Sequence, residues 1–141
     1  HRLCARQLAI GIGKTALRRR ALHGGLLGQA VIRAYRGASS QHRECQQADL
    51  RNAATAQETY LTEHPTYSGQ SPVAAELTGV GFKYSPGSNY AGGTAAITVS
   101  PTTPTNQSYC LMATSASNRQ FVYSSPSGLG EVGVNGVTAC T

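Results

Sequence analysis

The spacing of hydrophobic and polar positions is helical before residue 63 and strand-like after residue 80. Between residues 46 and 62, side chains suited to a buried face recur at steps of three and four, at Leu50, Ala53, Ala54, Gln57, Tyr60 and Leu61. This spacing predicts an amphipathic helix. The helix should end near Glu63, because Pro65 disfavours helical geometry at the preceding residue and has no backbone N–H. Residues 65–72 then form a predicted loop that is held at one aromatic side chain, Tyr67.

From residue 80 onward the period becomes two. The predicted β segments, separated by turn-forming residues, are 81–84, 95–100, 108–114 and 120–124. In the last three, alternate residues share one predicted buried face: Ile97 and Val99, then Tyr109, Leu111 and Ala113, then Phe121 and Tyr123. A helix packed on a three- to four-stranded antiparallel sheet covers all of these faces, so the sequence predicts an α+β fold. The Gly-rich tail, residues 126–141, is predicted to be irregular.

Charge divides the chain into two parts, which we treat as a basic arm (residues 1–46) and a globular head (residues 47–141). The arm contains nine of the twelve Lys and Arg residues and one acid, Glu44, for a net charge of +8, whereas the head carries −2. The high pI therefore describes the arm, and it does not make the whole molecule a nucleic-acid binder.

The head contains two cysteines, Cys110 and Cys140, without the close Cys or His neighbours that a zinc site requires. A body rich in Ser, Thr and Gly has few large apolar side chains, and a disulfide is a common supplement in an oxidising compartment. A bond between Cys110 and Cys140 would tie the tail to a central strand. Spacing alone does not fix this pairing, and two reduced, buried cysteines are the alternative.

Catalytic and ligand-binding patterns are weak. Residues 11–15 (Gly-Ile-Gly-Lys-Thr) match only the end of a phosphate-binding loop, and the motif's first glycine is replaced by Leu8. The four histidines are scattered, Glu58 and Glu63 are interpreted as solvated charges, and no Gly-x-Ser-x-Gly element occurs. We therefore predict no enzyme activity, no cofactor and no metal site. Asn106-Gln107-Ser108 is a glycosylation sequon in a predicted surface loop.

Five segments in the head, taken in order, resemble type IV pilins and major pseudopilins. They are residues 49–60 (Asp-Leu-Arg-Asn-Ala-Ala-Thr-Ala-Gln-Glu-Thr-Tyr) with Thr66-Tyr67, residues 77–87, residues 109–114 (Tyr-Cys-Leu-Met-Ala-Thr), residues 121–123 (Phe-Val-Tyr) and Ala139-Cys140. In that family the exposed half of a long helix ends in a Tyr-containing turn before an antiparallel sheet. The resemblance places Cys110 and Cys140 at the family's two cysteine positions.

The resemblance implies a structural subunit of a type IV pilus-like filament that acts in adhesion, motility or DNA uptake. Its implied partners are copies of itself or other pilins, the assembly machinery in the inner membrane, and DNA or a host surface. Its implied location is the extracellular face of a bacterial cell. The first alternative is a pseudopilin of a type II-like secretion system.

The arm differs from the family's N-terminus. Residues 1–46 contain no Phe-Thr-Leu-Ile-Glu-like start, no run of about 20 apolar residues and no pattern typical of a secretory signal. We hypothesise that the arm is atypical or results from a misplaced start or a frameshift. Translation of the DNA upstream of the head in its other frames tests this, and the hypothesis fails if neither frame encodes such an apolar run. In the second alternative, residues 14–36 form a basic amphipathic segment that binds nucleic acid or anionic lipid.

Overall fold

The structure is a computed structural model that describes residues 26–103 and 105–141, with side chains from residue 40 onward. The phosphate-loop match at residues 11–15 and most of the basic arm lie outside the described residues. The elements are the helices α1 (Leu26–Glu63) and α2 (Ala75–Gly79), and the strands β1 (Thr98–Ser100), β2 (Cys110–Thr114), β3 (Gln120–Ser124) and β4 (Gly128–Glu131). Two short 3-10 turns, Gly87–Asn89 and Ala91–Gly93, lie between α2 and β1.

Helix α1 contains 38 residues and is therefore about 57 Å long. It ends at Glu63, as predicted, but it begins at Leu26, 20 residues before the predicted start. The chain has no proline before Pro65, and Ala, Leu, Gln and Arg are strong helix formers that sustain a helix without a regular apolar stripe. Among the described residues, no helix combines the length and the apolar character that crossing a membrane requires.

The boundary predicted between arm and head falls inside α1. Cys45 and Gln46, assigned from the sequence to the arm, are buried, and His42 lies within hydrogen-bonding distance of the head at Asn89. The packed part of α1 therefore extends at least one helical turn N-terminal to the predicted boundary.

The four strands form one antiparallel meander in the order β1-β2-β3-β4. Residues on the inner face are aligned across the sheet, with Val99 opposite Leu111 and Leu111 opposite Tyr123. On the outer face, Cys110 lies opposite Ser124, and Met112 lies opposite Val122. The predicted segments 95–100 and 108–114 contain β1 and β2, and β3 has its predicted bounds.

Two strand predictions are wrong. Residues 81–84 form no strand in the described chain, although Phe82 is buried: its N–H donates to the carbonyl of Leu77 and closes the end of α2. The tail, predicted to be irregular, contributes β4, which pairs with β3. Strand propensity comes largely from side-chain packing, and Gly128 and Gly130 have no side chain. Pairing with β3 therefore determines this strand, and local sequence preference does not.

The core lies between α1 and the inner face of the sheet. The predicted helix stripe is confirmed, since Leu50, Ala53, Ala54 and Gln57 are buried and Tyr60 and Leu61 pack partly against the same cluster. The predicted sheet face is confirmed as well: Ile97, Val99, Tyr109, Leu111, Ala113 and Phe121 are buried, and Tyr123 is partly buried against the same cluster. Tyr67 holds the predicted loop, because its ring packs edge-to-face on Tyr109 with centroids 4.7 Å apart.

Candidate functional site

The C-terminal tail is closed onto the outer face of the sheet. A disulfide joins Cys110 of β2 to Cys140, 30 residues later, with the two Cα atoms 5.7 Å apart. The hydroxyl of Ser100 donates a hydrogen bond to the carbonyl of Thr141, which attaches the chain end beside β1. The pairing is the one considered from the sequence, and the alternative of two reduced cysteines does not describe this structure.

A tight turn brings the tail back over β4. The N–H of Val137 donates to the carbonyl of Val134, and the two central residues, Asn135 and Gly136, have φ values of 51° and 77°. Positive φ at both positions defines a type I′ turn, for which Asn-Gly is the preferred pair. The turn places Val137 directly against Gly130, where an added Cβ would lie 2.8 Å from a Val137 methyl carbon.

Between the tail and the sheet lies an open cleft of about 500 Å³. Its described lining contains no charged side chain. Seven Ser and Thr residues are among those that line it: Ser100, Ser108, Ser124, Ser125, Ser127, Thr138 and Thr141. Such a surface suits a neutral, hydrogen-bonding contact, and it offers no acid, base or nucleophile-base pair for chemistry.

Three polar side chains of α1 bind the segment 85–90, and we call this contact the helix seam. His42, Gln46 and Asp49 follow one another at steps of four and three, so they share a helix face. His42 Nδ1 lies 2.8 Å from Asn89 Oδ1. Gln46 Nε2 donates to the carbonyls of Asn89 and Thr114, at 2.6 and 3.1 Å. The seam fixes the loop between α2 and β1 against the helix.

Asp49 is the buried carboxylate of the helix seam. It is 4% exposed and accepts hydrogen bonds from the hydroxyl of Tyr90 and from the N–H of Ser85, the latter at 2.8 Å. Burial, and then the hydrogen bond to Asp49, raises the pKa of Tyr90 far above its ordinary value. The Tyr90 hydroxyl therefore keeps its proton above the pH at which a free tyrosine loses it, and the pair works as a structural donor and acceptor.

A second polar contact fastens the loop after α1. The buried amide of Gln57 donates from Nε2 to the carbonyl of Ser68 at 2.9 Å and accepts from the N–H of Ser68 at 2.8 Å. The hydroxyl of Ser68 also donates to the carboxylate of Glu76 in α2. One glutamine therefore satisfies both backbone groups of a buried loop residue.

The interpretation of Glu58 as a solvated charge is only partly right. Glu58 is exposed, but its carboxylate accepts hydrogen bonds from the hydroxyls of Tyr67 and Tyr109, at 3.1 to 3.2 Å. Burial, followed by the charge of Glu58, raises the pKa of Tyr109. The carboxylate caps an aromatic cluster in which the Tyr109 and Tyr123 rings stack with centroids 6.4 Å apart.

The two histidines among the described residues, His42 and His64, have separate contacts. His64 is exposed and stacks on Tyr60 with ring centroids 3.8 Å apart, His42 belongs to the helix seam, and His1 and His23 lie outside the described residues. Within the described chain, no three His, Cys, Asp or Glu side chains are grouped as metal ligands would be. The absence of enzyme activity and of a cofactor stays a prediction.

The roles of Asp49, Glu58 and Gln46 do not follow from the patterns in the sequence. A signal for Asp49 was present, because it lies four residues before Ala53 and so falls on the predicted buried stripe. A carboxylate there requires donors, but its partners are 36 and 41 residues away. Sequence spacing does not reveal contacts of that range.

No protein-family model matches the chain. A search of curated proteins also finds no match.

Proposed function

We propose that this chain is a structural subunit of a type IV pilus-like surface filament. The observation that carries the proposal is the order of elements: one long helix whose C-terminal part packs on a four-stranded antiparallel meander, followed by a tail closed by Cys110–Cys140. This is the order that the resemblance to type IV pilins implies for residues 49–140. The described polar contacts of α1 support a packing role, because Gln46, Asp49 and Gln57 use them to hold loops to the helix.

The long helix favours assembly over a stand-alone binding module. Helix α1 is 38 residues long, whereas the described contacts of its side chains with the head run from His42 to Leu61, a span of about 29 Å. A small head of this kind does not need a helix of about 57 Å for its own core. A helix that long suits packing against other copies of the chain or other pilins.

The proposal is tested on cells that express the full chain from its own locus. Antibodies raised against the folded chain should decorate surface filaments in immunogold electron microscopy, and mass spectrometry of the sheared filament fraction should identify peptides from residues 52–141. Deletion of the gene should remove the labelled filaments. Filaments that persist without the gene, or label that never leaves the cell, would contradict it.

Immunogold labelling and a binding assay separate the two alternatives. A pseudopilin of a secretion system would be labelled within the cell envelope, with no long surface filament. A nucleic-acid or anionic-membrane binder would instead bind DNA or vesicles with a strong dependence on salt, and that binding would be lost on removal of residues 1–36, a truncation that leaves His42, Cys45 and Gln46 in place.

A further inference from the structure

The segment before β2 forms a small turn that displays the glycosylation sequon. The hydroxyl of Thr105 donates to the carbonyl of Ser108 at 2.8 Å, and it accepts from the Ser108 N–H at 3.5 Å. This one side chain closes the turn at both backbone groups of Ser108. Asn106 and Gln107 are therefore left at the tip, and both are exposed.

The two side-chain groups that a sequon requires, the carboxamide of its Asn and the hydroxyl of its Ser, make no hydrogen bond within the described chain. Asn106 and Ser108 are exposed, and within the described chain neither the Asn106 carboxamide nor the Ser108 hydroxyl has a hydrogen-bond partner. Asn89 is the opposite case, since it is buried and its side chain bonds to His42 and Ser85. Asn118 is exposed, but the residue two positions later is Gln120, so it lacks the hydroxyl of the sequon.

The turn is also attached on both sides to ordered parts of the structure, near the C-terminal end of α1. The carbonyl of Thr105 accepts a hydrogen bond from the N–H of Tyr67, which lies just beyond the end of α1 at Glu63. On the other side, the turn leads directly into buried Tyr109 and disulfide-bonded Cys110. A group attached at Asn106 would therefore lie at the C-terminal end of α1, about 57 Å along the helix from Leu26.

We propose that Asn106 is an acceptor for an N-linked oligosaccharide. The donor class is a polyprenyl-diphosphate-linked oligosaccharide, transferred by an oligosaccharyltransferase. The amide nitrogen of Asn106 forms a bond to the anomeric carbon while the bond from that carbon to the diphosphate oxygen breaks. The amide proton passes to a base of the transferase, and polyprenyl diphosphate leaves. The hydroxyl of Ser108 is the sequon group that the transferase recognises.

The test uses the purified, folded full chain with its Cys110–Cys140 disulfide intact. It is incubated with a single-subunit oligosaccharyltransferase and a polyprenyl-diphosphate oligosaccharide, and intact mass and peptide fragmentation locate the product. We expect one glycan, at Asn106. Asn106→Gln and Ser108→Ala should abolish transfer, Ser108→Thr should retain it, and Gln107→Ala, a change at the same exposed tip, should leave it unchanged.

Two results would overturn the proposal. One is transfer that occurs only after the protein is reduced and unfolded, because the folded turn would then not present the sequon. The other is transfer at a different asparagine, or transfer that survives Ser108→Ala. Circular dichroism of each variant establishes that loss of transfer does not come from loss of folding.

Discussion

The hydroxyl of Tyr90 donates a hydrogen bond to the carboxylate of Asp49, 41 residues earlier in the chain. The pair joins α1 to the loop that precedes the sheet, at a point where both side chains are almost fully buried. Because a buried carboxylate is stable only when its lone pairs are satisfied, this contact determines where the loop can lie on the helix. The helix seam therefore holds the loop in one arrangement on the helix. Its hydrogen bonds also contribute to the free energy of unfolding.

Replacing Tyr90 by Phe should destabilise the fold. Asp49 would keep its bond from the Ser85 N–H but lose the hydroxyl, and an under-satisfied buried group costs about 1 to 3 kcal/mol. Urea unfolding should show a lower midpoint at an unchanged slope. Tyr123→Phe is the matched control, because the Tyr123 hydroxyl has no hydrogen bond in the described chain, and its cost should stay within about 0.5 kcal/mol. Equal midpoints for the two variants would contradict the role of the pair.

Stability should fall as the solution becomes alkaline. Burial raises the pKa of Tyr90 and Tyr109 above the ordinary value of 10.0. Above pH 10 the unfolded chain releases these protons while the folded chain still holds them. The stabilisation is therefore complete below pH about 10 and is lost as pH rises beyond it, by up to about 1.4 kcal/mol per pH unit for each tyrosine.

Urea unfolding across this alkaline range measures the effect. The Tyr90→Phe variant should show a shallower loss than the parent chain, since one of the four tyrosines whose pKa the fold raises (Tyr67, Tyr84, Tyr90 and Tyr109) is gone. Stability that does not depend on pH above 10, or a Tyr90→Phe profile that runs parallel to the parent profile, would show that Tyr90 is not held protonated by the fold.

The disulfide should be the largest single contribution to holding the tail. Closing a loop of 30 residues stabilises a fold by about 3 to 4 kcal/mol in the loop-entropy description. The double variant Cys110→Ser, Cys140→Ser should lose about that much free energy of unfolding. Ser100→Ala removes only the hydroxyl bond to Thr141 and should cost about 1 kcal/mol or less. Similar losses for both variants would mean that the disulfide does not order the tail.

The sequence predicted those parts of the fold in which the period of apolar residues carries the information. The end of α1 and the inner faces of β2 and β3 follow from local spacing and from Pro65. The strand β4 did not, because Gly128 and Gly130 carry no side-chain pattern. The helix seam was also missed: Asp49 and Gln46 are polar residues whose partners come from distant loops, and a sequence shows the need for a partner but not its identity.

Gly130 should not tolerate a side chain while Val137 faces it. A Cβ at Gly130 would lie 2.8 and 2.9 Å from the two methyl carbons of Val137, so rotation of the valine does not open the space. Gly130→Ala should therefore cost about 1 to 3 kcal/mol, and a second substitution, Val137→Ala, should recover most of that loss in a double-mutant cycle. Gly79→Ala is the control, because nothing lies within 4 Å of its Cβ position. An additive cycle would show that the tail does not pack on β4 through this contact, whereas strong coupling would show that the small residue in β4 is what lets the tail close over the sheet.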